Sequence, residues 1–356
     1  MDAANQLQNK LSQYAFRTDA STCVSGFSLL YTLLLLFTSV DESSPVNSSL
    51  SNALSIDSVS LKAFRAVLDS LNASGVHTAA TSFIRDFSDR DPVIEALQHR
   101  FLDATVQQLT SVDAINQWCA AHTNGAIAQI LTQLDPDTAA ALVSTLYFKA
   151  RWVTPFDPTR NVGRPFTLLS GDRVTVDMMR NEDAHVSVWR TETSTGFVGE
   201  YKAPATDVLA LFSLPNKPGE TGLREALAEL ATGQPELAAQ PHAVDLSLPK
   251  FRVDQSFQAD NFLRQLGLTR QYESFEFAAL QHRPMLQVTK TIQKMFLAVD
   301  EDGTEAAAVT AMMLDEALVL HDKREPLVFD RPFAFALVDR SGTRLLTAAI
   351  VNPAAE

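Results

Sequence analysis

The sequence predicts an α+β fold, with helices gathered in the first third of the chain and antiparallel strands in the rest. Three observations carry that expectation. Apolar residues recur at helical spacing before residue 131. After residue 140 the chain turns to short β-branched or alternating runs with turn signals between them. Near the C-terminus, Asp339-Arg340-Ser341-Gly342 separates two apolar runs as a hairpin turn would. Segregated blocks of this kind suit separate helical and sheet layers rather than alternating βαβ units.

The elements follow in order. Residues 2–15 are amphipathic at helical spacing. Residues 27–38 are apolar almost all round, the mark of a buried helix. Ser43, Ser44, Pro45, Asn47, Ser48 and Ser49 read as a loop cluster. Residues 61–71 and 92–101 are further helices, the second with Pro92 in its first turn. Residues 113–131 carry another helix, ending near Asn124-Gly125. The strands begin with 140–148, apolar and β-branched, and continue with 173–180, 184–190, 196–202 and 207–214. Residues 222–232 return to helix, 243–253 alternate, 257–266 form a short helix, and 327–351 read as two strands. No repeat, low-complexity segment or linker interrupts the chain, so residues 1–356 are expected to form one domain.

Composition excludes several functions. Lys+Arg is 29 and Asp+Glu is 42, giving a net charge of −13, the wrong sign for a nucleic-acid partner. Apolar residues at 46% and charged residues at 20% argue against global disorder. Two cysteines, Cys23 and Cys119, are too few for a disulfide framework. The apolar run Phe27 to Phe37 is too short to span a bilayer, so no membrane partner is expected. The N-terminus carries no secretory pattern. The expected compartment is the cytoplasm, with signal-independent export as the alternative.

Catalytic chemistry is sparse. There is no phosphate loop, HExxH, CxxC pair or GxSxG elbow. Cys119 and His122 share a helix face at i, i+3, but a packed cysteine beside a partly exposed histidine explains them without catalysis. The acidic run Asp300, Glu301 and Asp302 lacks calcium-loop spacing, since Gly303-Thr304 follows. No metal, no cofactor and no enzymatic activity are expected.

One stretch resists a bland reading. Residues 301–320, EDGTEAAAVTAMMLDEALVL, suit a helix capped by Thr304. They also alternate as a strand would. Thr304, Ala306, Ala308 and Thr310 fall on one small, uncharged face; Glu305, Ala307 and Val309 fall on the other. A segment compatible with both forms is what a switching element needs.

Here the sequence resembles the serpins, the serine-protease-inhibitor superfamily. VDEDGTEAAAVTA (299–311) is similar to the family's hinge, and FDRPFAFALVDRSGTRLLTAAIVNP (329–353) to its C-terminal signature. Phe148-Lys149 with Arg151-Trp152 and Pro155-Phe156 resembles the family's YFKGxWxxPF segment. Ile115-Asn116-Gln117-Trp118 resembles a mid-chain helix, and Leu248-Pro249-Lys250-Phe251 and Leu266-Gly267-Leu268 fit two further motifs. Ser25 and Ser28 match paired serines before a buried helix.

The resemblance implies three β-sheets, about nine helices and an exposed reactive-centre loop over 301–326. It also implies a suicide-substrate mechanism. A target protease attacks the loop and forms a covalent acyl complex; the cleaved hinge then inserts as an extra strand in the large sheet. The hinge would be Glu301, Gly303, Thr304, Glu305, Ala306, Ala307, Ala308, Val309 and Thr310. Ser25, Ser28, Ser144, Gln293 and Trp152 would occupy the shutter and breach, the regions where the sheet opens. The chain departs from the family at Ser144 (usually Asn), Gln293 (His), Gly26 (Pro), Ala150 (Gly) and Asn161 (Thr). A non-inhibitory carrier, chaperone or storage role on the same scaffold is the alternative. Monomer is the expected state, with loop-sheet polymerisation as a hazard. A heparin-type cofactor is not expected, because 61–71 holds only Lys62 and Arg65 beside Asp69.

Counting from Glu301 by the family's register puts the reactive bond at Ala317-Leu318, suiting an elastase-like protease. Counting back from Pro332 gives a site nearer His321. A one-residue shift makes Leu318 the specificity residue, for a chymotrypsin-like serine protease or a papain-like cysteine protease. Asp315 would suit an Asp-directed protease, and Lys323-Arg324 a trypsin-like one.

Overall fold

The computed structural model describes residues 2–55, 58–233, 240–304 and 324–354. Eight α-helices and three sheets, of nine, seven and two strands, occur among them, in keeping with the α+β expectation. The chain folds into two compact units. The first comprises Met1–Tyr14, Val24–Tyr147 and Asp254–Phe296; the second comprises Ala15–Cys23, Phe148–Val253 and Leu297–Glu356.

The first unit is built on the helix Gly26–Thr38, in which every residue but Phe37 is buried. An all-apolar surface has no side to give to water, so other elements surround it. Phe27 stacks on Phe64 with centroids 4.9 Å apart, and Tyr31 tilts against the same ring. The expected loop at 43–49 is instead the start of a helix, Pro45–Leu54. Ser44 accepts from Val46 N at 3.2 Å and Pro45 occupies the first turn, so the loop-forming residues serve as a cap. The helix expected over 113–131 runs Val112–His122 and stops where Asn124 (φ 52°) and Gly125 (φ 81°) turn left-handed.

Strands also enter this unit earlier than the sequence suggested. Val76–Ile84 pairs in parallel with Val106–Gln108, Ser82 opposite Val106. Ala140–Phe148 pairs in parallel with Val288–Val299, from Val288↔Ala140 to Met295↔Leu146.

The second unit holds most of the nine-stranded sheet. Its central order is Arg344–Ile350, Phe333–Asp339, Val208–Pro215, Ser194–Glu200, Arg173–Arg190, His242–Pro249 and Glu325–Val328. The strands expected at 173–180 and 184–190 are one strand. The Asn181-Glu182-Asp183 turn signal is absorbed as a register shift opposite Val244 and Leu246. The helix Glu220–Thr232 lays Leu223, Ala226, Leu227 and Leu230 on Leu209, Leu211, Ala334 and Ala336. Burying each of those leucines contributes about 1.5–3 kcal/mol. No helix among the described residues is long and apolar enough to cross a membrane.

Candidate functional site

The site begins with a four-residue turn. Asp300 N donates to Gly303 O at 3.0 Å, and the Asp300 carboxylate accepts from Asp302 N (3.0 Å) and Gly303 N (3.2 Å). Burial raises the pKa of Asp300; the two backbone donors oppose that rise, and the nearby charges of Glu301 and Asp302 add to it.

The turn sets Gly303 and Thr304 as a two-residue strand. Thr304 lies opposite Val299 on one side, while Gly303 and Thr304 lie opposite Arg151 and Ala150 on the other. In the first unit the lengths 140–146 and 288–295 pair directly. In the second unit, Val299 and the separate two-residue strand Ala150–Arg151 flank Gly303–Thr304. A Cβ on Gly303 would sit 2.0 Å from Ala150 O, so only glycine fits. Thr304 is 1% exposed, and its hydroxyl meets Tyr201 Oη at 2.6 Å.

Trp152 anchors this strand from beside it. Its indole Nε1 donates to Asp300 O at 3.0 Å and its backbone N–H to Asp302 O at 2.9 Å. Its ring stacks on Tyr201, centroids 4.6 Å apart and 15° from parallel. Burial pushes the Tyr201 phenol far up, so it stays protonated and serves as a neutral hydrogen-bond partner.

Glu301 is held from the other side. Lys250 Nζ reaches its carboxylate at 2.6 Å and that of Asp177 at 2.8 Å, and Asn161 Nδ2 donates to Glu301 as well. Burial alone would lower the Lys250 pKa, but its bonds to Asp177 and Glu301 outweigh that and raise it. The segment expected to be exposed loop is therefore partly sheet. Residues 301–304 are tied down, and Glu325 and Pro326 lie in the strand Glu325–Val328. Arg324 donates to Asp183 at 2.9 Å, which holds it beside the sheet. Glu305, Ala306, Ala307, Ala308, Val309, Thr310, Asp315, Ala317, Leu318 and His321 lie outside the described residues.

In the first unit, Ser25, Ser28, Ser144 and Gln293 are all buried. Ser25 caps the buried helix by accepting from Ser28 N at 2.9 Å. Gln293, opposite Ser144 in register, spends its carboxamide on a peptide rather than a side chain. Its Oε1 accepts from Ser25 N at 3.0 Å and its Nε2 donates to Ser25 O at 2.7 Å. Gln8 does the same one step along, accepting from Gly26 N at 2.6 Å and donating to Val24 O at 3.1 Å. The departure from proline at Gly26 thus gains a partner, since proline has no N–H to offer. A Cβ on Gly26 would lie 2.4–2.7 Å from Gln8 N, Gln8 Cα and Ala4 O, so the N-terminal helix crosses at glycine contact.

Sequence reasoning missed Gln8, Tyr201 and Asp177. A signal existed for Gln8, which is a polar residue on the buried face of an amphipathic helix beside Ala4, Leu7 and Leu11. None existed for Tyr201, whose partner is 103 residues away.

Cys119 and His122 sit in different surroundings, one buried and one exposed. Cys119 is fully buried, and burial pushes its thiol up to about 12 against a small opposing pull from Lys294. His122 stacks on Trp118 with centroids 4.3 Å apart, its Nδ1 2.8 Å from Trp118 O. No group of three His, Cys, Asp or Glu suited to a metal ion occurs among the described residues.

A family model described as Serpin (serine protease inhibitor) matches residues 2–353. Plasma serine protease inhibitor of Homo sapiens is 30% identical over 230 residues, covering 64% of this chain and 55% of that protein. Serine protease inhibitor A3G of Mus musculus is 28% identical over 305 residues, covering 82% and 68%. The chain thus spans little more than half the length of the first relatives it matches. Among solved structures, human thyroxine-binding globulin complexed with thyroxine superposes with a TM-score of 0.83 at 22% identity, covering 99% of this chain and 97% of that one. That likeness is one of fold.

Proposed function

The chain belongs to the serpin family, and on that premise we propose that it is a suicide-substrate inhibitor of a serine protease. The observation that carries the reading is the seat of Gly303 and Thr304 between Ala150–Arg151 and Val299. A hinge that begins as a strand of the seven-stranded sheet can extend by strand addition once the loop beyond it is cut. The face that would follow Thr304 inward, Ala306, Ala308 and Thr310, is small and uncharged. Such residues enter a packed sheet without clash or unpaired charge.

The protein supplies no catalytic group in this scheme. The protease's serine attacks the scissile carbonyl, the loop C-terminal to the bond leaves as an amine, and an ester joins the two proteins. Hinge insertion then competes with hydrolysis of that ester. Ala317-Leu318 is the proposed reactive bond and an elastase-like or chymotrypsin-like enzyme the proposed target. The working protein is taken as a cytoplasmic monomer that needs no cofactor.

A carrier role is the second reading, favoured by the fold's likeness to a thyroxine-bound globulin. One experiment separates the two. Incubation with elastase-like and chymotrypsin-like proteases gives a detergent-stable complex if the chain traps, and clean cleavage or no reaction if it only carries.

A further inference from the structure

The second unit contains a cavity walled in part by Trp152. Its volume is about 90 Å³ and it opens to solvent on one side. Trp152, Phe156, Phe197 and Phe212 line it, and of these Trp152, Phe197 and Phe212 are buried. Phe197 and Phe212 stack nearly parallel, 4.6 Å apart at 4°. Val153, half exposed, and the exposed Glu200 and His185 border it on the solvent side.

The charges around it have one sign at the wall. Among the described residues, Glu200 is the only acidic one lining the cavity, and no Lys or Arg lines it. Arg340 reaches the Glu200 carboxylate at 3.0 Å, but both side chains stay half exposed, so a second cation can share that carboxylate. His185 lies 3.9 Å from Asp183, which also pairs with Arg324. The whole chain, at −13, draws cations toward its surface. A cavity this small takes part of a single ring, since enclosed cavities of about 150 Å³ take benzene. Aromatic walls suit a ring, and ring faces with a carboxylate at the edge suit an ammonium group.

The cavity also shares a wall with the hinge. Trp152 lines it and, through its indole N–H, its backbone N–H and Tyr201, holds Asp300, Asp302 and Thr304. We propose that this cavity binds a small aromatic ammonium compound and thereby fixes Gly303–Thr304 in their present strand. The ring enters beside Trp152 and the ammonium group meets Glu200. The regulatory consequence, slower hinge insertion, rests on the inhibitory reading; the binding does not.

The test uses benzylamine on the intact protein, with benzyl alcohol and benzoate as neutral and anionic comparators. Calorimetric or NMR titration is expected to give saturable benzylamine binding with a Kd on the order of 1 mM, the scale so small a ligand reaches. Benzoate should bind at least about tenfold more weakly, because it brings a second negative charge to Glu200. Glu200→Gln should weaken benzylamine about fivefold or more and leave benzyl alcohol unchanged. Val153→Trp, at an exposed position, should block both. Bound benzylamine should slow deuterium uptake of the 299–304 peptide about threefold in the wild type and not in Val153→Trp. No saturable binding, or equal binding by Val153→Trp, overturns the site. Binding without the change in uptake overturns the coupling to the hinge. These readouts need no protease. A protein that binds benzylamine but traps nothing sinks the inhibitory reading alone, and one that traps but does not bind sinks the cavity alone.

Discussion

Replacing Thr304 by arginine tests whether the seated strand is the start of insertion. Thr304 is 1% exposed, and its hydroxyl bonds Tyr201 inside an aromatic cluster. Seating an arginine there would bury a guanidinium beside Tyr201, so residue 304 of the variant stays out of the sheet before cleavage and the burial cost falls on the insertion step. Burying an unpaired charge costs several kcal/mol, so about 3 kcal/mol is a restrained figure. Every ~1.4 kcal/mol added to a barrier slows a step about tenfold, so insertion slows by roughly 150-fold. Ester hydrolysis in the bound protease is unchanged, so the variant should be cleaved and released as a substrate. The assay is the stoichiometry of inhibition against a trapped protease, with the cleaved fraction read on a denaturing gel. Thr304→Ser keeps the hydroxyl and should behave as the wild type. If Thr304→Arg traps with unchanged stoichiometry, the assignment of Gly303–Thr304 as the leading edge of the inserted strand is wrong.

Other outcomes follow from the same geometry. Gly26→Ala places a methyl within 2.7 Å of three backbone atoms of the N-terminal helix; we expect a loss of about 2–4 kcal/mol, read as a lower urea midpoint with unchanged slope. Gln293→Leu removes the acceptor that Gln293 offers to Ser25 N–H, while Ser25 C=O still accepts from Leu29 N at 3.1 Å, so the loss is about 1–3 kcal/mol; Gln8→Leu likewise removes the acceptor that Gln8 offers to Gly26 N–H. The double variant should cost about the sum if the two glutamines act independently, and a denaturation cycle reads the coupling. Cys23 and Cys119 should ignore a thiol reagent at neutral pH until the protein unfolds, because burial pushes both up to about 12 from 9.0. Both folded pKa values lie above the unfolded one. Their contribution is therefore complete below pH 9 and is lost as the pH rises toward 12, so an alkaline titration should show falling stability across that window in the wild type and a shallower fall in a double Cys→Ala variant.

How much was legible in the sequence depended on how local the cause was. The buried helix Gly26–Thr38 was plain because its own residues are apolar on every side. The hairpin Phe333–Asp339 to Arg344–Ile350 was plain because its turn is written between its strands. The strand Val76–Ile84 was not, because His77, Thr78, Ala79 and Ala80 have no strand-like run and take their conformation from the neighbours they pair with. Pro45–Leu54 was misread because serine and proline signal a loop and a helix start equally well. At the site, the alternation from Thr304 onward could be seen, and so could the need for a small residue at Gly303. What makes Gly303 obligatory is the carbonyl of Ala150, 153 residues earlier in the chain. What holds Glu301 is Lys250, and what holds Ser25 is Gln293. Such partners are chosen by the fold, and no spacing rule reveals them.

The most direct measurement is intact-mass analysis of the protein after incubation with elastase-like and chymotrypsin-like proteases, run beside a denaturing gel. The account predicts a detergent-stable species with the mass of protease plus the chain through Ala317, and a released fragment beginning at Leu318. Complete cleavage with no such species and no gain in heat resistance would contradict it.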